Sequence, residues 1–147
     1  MKLTKEMVLK GQALRIDVPA GEYGEDAVFT VAPPTAGDMS EARTIRLKYL
    51  EVKDASVKLE DLIREGRIDF SKIDLSTAQR GIDEARFYLV SKALTYGMNE
   101  EWTVKDVKQL KPEVFERLWR TVDGLCGFSA EAEEQIRNFR KARKGRK

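Results

Sequence analysis

The sequence predicts an α+β fold, mostly α: a short N-terminal β-hairpin followed by a bundle of five or six helices. Three observations predict it. Apolar and polar residues alternate over 14–18 and, less strictly, over 28–31, with a glycine-containing turn between them. From Thr35 onward, apolar residues recur at helical spacing, and several of these runs open with Ser, Thr or Pro. Charged residues make up 35% of the 147, against roughly 25% in an ordinary domain, which suits the solvated outer faces of helices. The expected organisation is one globular domain over 1–128, with the hairpin at 14–32 and helices over 35–128. A C-terminal helix with a basic tail follows at 129–147.

The elements follow in order. In the hairpin, Leu14, Ile16 and Val18 lie on one face, and the turn spans Pro19 to Asp26 with Gly21 and Gly24. Pro33 and Pro34 stop the second strand, because proline cannot donate to a ladder. Thr35 with Asp38 is a variant of the capping box, opening a helix on Ala42, Ile45, Tyr49 and Val52. A short helix is expected over 57–65, ending at Gly66, and an extended connector over 67–75. Ser76 and Gln79 form a second capping box. It opens the helix with the widest apolar arc, with Ile82, Ala85, Leu89, Ala93 and Tyr96 on one stripe and Phe87, Val90 and Leu94 on another; Gly97 is expected to end it. Thr103 and Asp106 cap a short helix. Lys111 is pushed out of the α region by Pro112, which suits the first position of the next helix. Val114, Phe115, Leu118, Trp119, Val122 and Leu125 line that helix, Gly127 is its left-handed cap, and Ser129 is expected to cap the last helix.

Composition narrows the chemistry. There is no His and a single Cys. A His-ligated metal, a Ser-His-Asp or Cys-His nucleophile pair, a disulfide framework and a zinc cluster built on several Cys are all excluded. Glu100–Glu101 and Glu133–Glu134 are adjacent, so on a helix their members do not share a face, and no acid sits in an apolar stripe. Glu22, Glu25 and Asp26 surround the Gly-x-x-Gly loop and repel phosphate. The helix pair around Lys111–Pro112 lacks the exposed polar recognition face of a DNA-reading helix-turn-helix. No catalytic residue, metal or cofactor is therefore expected. The first ten residues lack the apolar core of a signal peptide and no run is long enough for a membrane span, so a cytoplasmic protein is expected.

Charge is uneven. Arg137, Arg140, Lys141, Arg143, Lys144, Arg146 and Lys147 stand in the last eleven residues without an acid, leaving −5 for residues 1–136 out of a whole-chain +2. Such a tail reads as a solvated end, as a contact for an acidic or partly unfolded protein, or as a nucleic-acid contact with steep salt dependence.

Several segments together resemble a known family. They are Thr4–Lys10, the hairpin, Pro33–Arg43, Ser91–Gly97, Trp102–Val107 and the stretch from Leu110 through Leu118 to Phe128. Over about residues 4–128 the chain resembles the tail assembly chaperones of long-tailed bacteriophages and prophages, with Cys126 where Ser is usual. The resemblance implies a non-enzymatic protein that binds the tape-measure protein, keeps its hydrophobic helices soluble and assists assembly of tail-tube subunits. It also implies host cytoplasm rather than the mature virion. Phe115, Leu118, Trp119, Val122, Leu125 and Phe128 are then the expected groove for a partner helix, and core is the competing reading of the same face. Self-association is compatible with this role. The alternative is a nucleic-acid-binding accessory protein acting through the basic tail.

Overall fold

The computed structural model of the chain describes residues 1–9, 14–49, 75–131, 133, 134 and 137. The fold is α+β and mostly α, with an N-terminal antiparallel hairpin followed by helices. The elements are α1 (Lys5–Leu9), β1 (Ile16–Pro19), a single 3-10 turn (Gly21–Tyr23), β2 (Val28–Val31), α2 (Ala36–Lys48), α3 (Leu75–Met98), α4 (Val104–Val107) and α5 (Pro112–Cys126), with helical backbone again over 128–131. The expected helix over 57–65 lies outside the described residues, as do Val52 and residues 67–74 of the expected connector; Leu75, its last residue, is helical instead. The chain forms two compact units, Met1–Met39 with Arg86–Cys126, and Ser40–Ala85 with Gly127–Lys147.

The first unit is built on the hairpin. Ile16 pairs with Val31 and Val18 with Phe29, which puts all four on one face; Val18 and Val31 are buried. On the other face the Thr30 hydroxyl donates to Asp17 at 2.7 Å. Beyond β2, the Ala32 N–H donates to the Ala93 carbonyl of α3 at 3.1 Å. Here the role of Gly97 differs from the expected one. It lies inside α3, which runs on to Met98, and Asn99 takes the left-handed conformation at φ 53°. A Cβ on Gly97 would stand 2.6 Å from both Thr30 C and Val31 Cα. This glycine lets strand and helix backbones touch; it does not end the helix. Leu89, Val90, Ala93 and Leu94 of α3, with Val107 of α4 and Val114, Leu118 and Val122 of α5, complete the core.

The caps explain where these helices start. Thr35 and Asp38 exchange bonds as a capping box: the Thr35 N–H donates to the Asp38 carboxylate at 3.0 Å, and the Asp38 N–H to the Thr35 hydroxyl at 3.1 Å. Asp38 is buried and also accepts from the Tyr96 hydroxyl at 2.7 Å. Burial, then that bond, pushes the Tyr96 phenol up to about 12, so it remains a donor at neutral pH. Thr103 and Asp106 repeat the box at α4. Pro112 stands at the first position of α5, as its missing N–H favours.

The second unit holds residues 40–48 of α2, 75–85 of α3 and the chain from Gly127. Gly81 sits where these two helices cross, since a Cβ there would stand 2.7 Å from the Arg46 carbonyl oxygen and from Tyr49 Cβ. Ala42 and Ala85 are fully buried small residues of the same unit. Two expected caps shift. Ser76 is already helical, because α3 is in place at Leu75, and Ser129 lies inside a helix that restarts at 128. Gly127, at φ 69°, is left-handed as expected, and its carbonyl accepts the Glu131 N–H at 3.1 Å, so one residue closes α5 and opens the next helix.

Candidate functional site

The face expected to form a partner groove is filled by the chain itself. Val114, Phe115, Leu118, Trp119 and Val122 are all buried, with Leu118 and Val122 at 0% exposure. Leu125 is half-buried. Side chains from α3 occupy the space. The Phe87 ring lies 4.9 Å from that of Phe115, and the Arg86 guanidinium stands 5.3 Å from the Phe115 ring and 5.2 Å from the Trp119 ring. Arg86 is held there by Glu116 at 2.8 Å. These side chains therefore pack inside the first unit. Phe128 belongs to the second unit, where it is fully buried with the Arg46 guanidinium 5.4 Å from its ring. In that unit Glu131 pairs with Arg43, which holds the Glu131 carboxyl below its ordinary range, while burial lowers the Arg46 value. Of the basic tail, Arg137 is exposed and helical, 3.8 Å from Glu133. Arg140, Lys141, Arg143, Lys144, Arg146 and Lys147 lie outside the described residues.

Among the described residues, several exposed apolar side chains lie at the N-terminal end. Leu3 is 69% exposed and Leu9 72%, and Val8 and Leu14 are exposed beside them in sequence. The helix α1 between them has five residues, none of them buried. Thr4 caps it, accepting the Met7 N–H on its hydroxyl at 3.2 Å and the Val8 N–H on its carbonyl at 3.1 Å. Isolated helices shorter than about 12–15 residues are marginal in water, so one capped turn with Met7 half-buried and its other side chains exposed suits an element that is completed by contact. In the sequence, Thr4–Lys10 stands out only as one of the resembling segments. The usable signal was Thr4 as an N-cap ahead of the Met7–Val8–Leu9 run, too short to show a helical period.

The hairpin turn is the second open feature, and internal hydrogen bonds hold it. The Ala20 N–H donates to the Ala27 carbonyl at 2.8 Å, the Tyr23 N–H to Ala20 at 3.0 Å and the Ala27 N–H to Gly24 at 3.0 Å. Gly24 at φ 156° and Asp26 at φ 62° take the positive-φ corners. A clasp ties this turn to α5. Arg117 donates to both Glu22 carboxylate oxygens, at 3.0 and 2.7 Å, and to the Pro19 carbonyl at 2.7 Å. The Lys111 N–H donates to the Tyr23 hydroxyl at 2.8 Å, and its ammonium to the Glu22 carbonyl at 3.1 Å. On the inner side Phe29 meets Tyr23 and Trp102 edge-on, at 6.0 and 5.6 Å. Trp102 is thus a packing partner of the hairpin as well as the residue ahead of the Thr103 cap, and its backbone N–H donates to the Thr95 hydroxyl at 2.9 Å.

The clasp has a pH signature. The bidentate Arg117 contact, then the backbone N–H of Glu22, lowers the Glu22 carboxyl from 4.5 to about 2. A carboxyl lowered on folding stabilises the folded state above its unfolded value, and that contribution disappears as pH falls from 4.5 toward 2. Between those values the wild type is expected to lose thermal stability faster than Glu22→Gln, and melting curves of the two proteins across the window check it. Parallel curves would remove the clasp's role.

Among the described residues no group of three or more Cys, Asp or Glu is placed to hold a metal ion, and no helix is long and apolar enough to cross a membrane. Comparison with family models, curated proteins and solved structures gives no match.

Proposed function

We propose that this chain is a tail assembly chaperone of the long-tailed phage and prophage kind, acting in the host cytoplasm by binding the apolar helices of a tape-measure protein. The single observation that carries the reading, beside the resembling segments, is the open apolar arm: Leu3, Val8, Leu9 and Leu14 are exposed, while the apolar stripe of α5 is buried. A client whose helices aggregate when uncovered needs such a surface on a soluble, charge-rich carrier, and 35% charged residues supply the carrier. In this reading the arm is the client-binding surface. The role is one of protein–protein contact without catalysis.

The test is co-expression with the tape-measure protein of the same phage or prophage, followed by pull-down and size-exclusion. A tape measure that is soluble only with this chain and co-elutes with it is the expected result, lost in a Val8→Asp/Leu9→Asp variant. An insoluble tape measure, with only nucleic acid co-purifying, overturns the reading and moves attention to the seven basic residues of the tail.

A further inference from the structure

The arm and the hairpin turn carry complementary surfaces on the same chain. The arm presents Leu3, Val8 and Leu9 beside the exposed Lys2 and Lys5, with Glu6 the one acid among its first nine residues. The turn from Pro19 to Val28 holds three acids and no base. Glu22 is engaged by Arg117, while Glu25 and Asp26 are exposed next to Tyr23, 47% exposed, and Val28, 51% exposed. The arm is apolar with a basic rim; the turn carries Glu25 and Asp26 exposed beside Val28, with the Lys111 ammonium 5.3 Å from the Tyr23 ring. Within the single chain neither covers the other, since both remain exposed. The turn is also preorganised by its internal hydrogen bonds and the clasp, which lowers the ordering cost of docking.

We propose that, before client binds, the arm of one chain docks on the hairpin turn of a second copy, and reciprocally, closing a two-fold dimer. Lys2 and Lys5 meet Glu25 and Asp26, and Val8 and Leu9 cover Tyr23 and Val28. Each chain has one arm and one turn, so the reciprocal exchange uses both and leaves neither open, as a closed two-fold pair requires. The rims give the association register and salt dependence. Its role as a guard on the client surface rests on the proposed function; the association itself does not. A client helix then competes for the arm, and the dimer protects the chain's own apolar residues until it arrives.

The experiment is size-exclusion with light scattering on the full chain, over a range of concentrations and at low and high salt. The wild type is expected at the two-chain mass, shifting to the one-chain mass on dilution or in high salt. Two charge-reversed proteins, Lys2→Glu/Lys5→Glu and Glu25→Lys/Asp26→Lys, are each expected at the one-chain mass, because in each the arm and the turn carry like charge. Mixed together, they are expected to return to the two-chain mass, since both contacts are restored across the unlike pair. All four positions are exposed, and an unchanged circular dichroism spectrum verifies folding. A wild type that stays at the one-chain mass overturns the inference, as does a dimer indifferent to both reversals or a mixture that stays monomeric. A monomer that still solubilises the tape measure overturns this inference alone. A dimer with the expected charge response that solubilises nothing overturns the proposed function alone.

Discussion

Leu118→Asp is expected to abolish the cooperative unfolding transition of the protein. The side chain is fully buried on α5, and an uncompensated carboxylate placed there costs several kcal/mol, a large part of the about 5–15 kcal/mol that holds a domain folded. Leu118→Ala separates this from a loss of binding. It costs about 2–5 kcal/mol through lost contacts and a cavity, and the protein still folds at low temperature and still takes up client. Thermal melts by circular dichroism, paired with the co-expression assay, read both. A Leu118→Asp protein that melts like the wild type but no longer binds would restore this face as the partner groove.

The second large effect is at Gly97. Replacing a glycine inside a helix with alanine ordinarily stabilises by about 1 kcal/mol. At Gly97 the sign reverses, because the new Cβ would stand 2.6 Å from Thr30 C and Val31 Cα, backbone atoms that no rotamer change can move. Overpacking of this kind costs about 1–3 kcal/mol, and here it also strains the bond from the Ala32 N–H to the Ala93 carbonyl. Gly97→Ala is expected to lower the melting temperature by about 5 °C or more. Gly124→Ala is the matched control: it lies within α5 with nothing inside 4 Å of an added Cβ, and is expected to raise it. Equal shifts at the two sites would contradict the close approach of strand and helix.

These two residues also mark what the sequence made legible. Local chemistry read well. The Thr35–Asp38 and Thr103–Asp106 boxes, Pro112 at the start of α5 and the left-handed Gly127 all depend on residues three or four apart, and each stands where it was expected. The hairpin read equally well, since alternation sets its inward face. Gly97 did not, because a glycine near the end of an apolar run looks the same whether it ends a helix or admits a neighbouring strand. The clasp of Glu22 on Arg117 joins residues far apart in sequence, with no local signal to announce it. The α5 stripe posed the hardest ambiguity. Val114, Phe115, Leu118, Trp119 and Val122 announce burial, but the covering groups, Phe87 and Arg86, come from another helix, and one of them is a charged residue. An amphipathic stripe says that a face is covered and leaves open what covers it. The arm failed for the opposite reason: one turn of helix carries too few residues to show a period.

The central claim is that partner contact is made by the N-terminal arm while α5 remains internal. Amide hydrogen exchange of the full chain, held at its one-chain mass by dilution and high salt, alone and with an apolar helical segment of the tape-measure protein, tests it most directly. Protection that grows over residues 3–9 and at Leu14, with exchange over 114–122 slow and unchanged, is the predicted result. Exchange that changes over 114–122 while the arm stays as fast as in the free protein would contradict it.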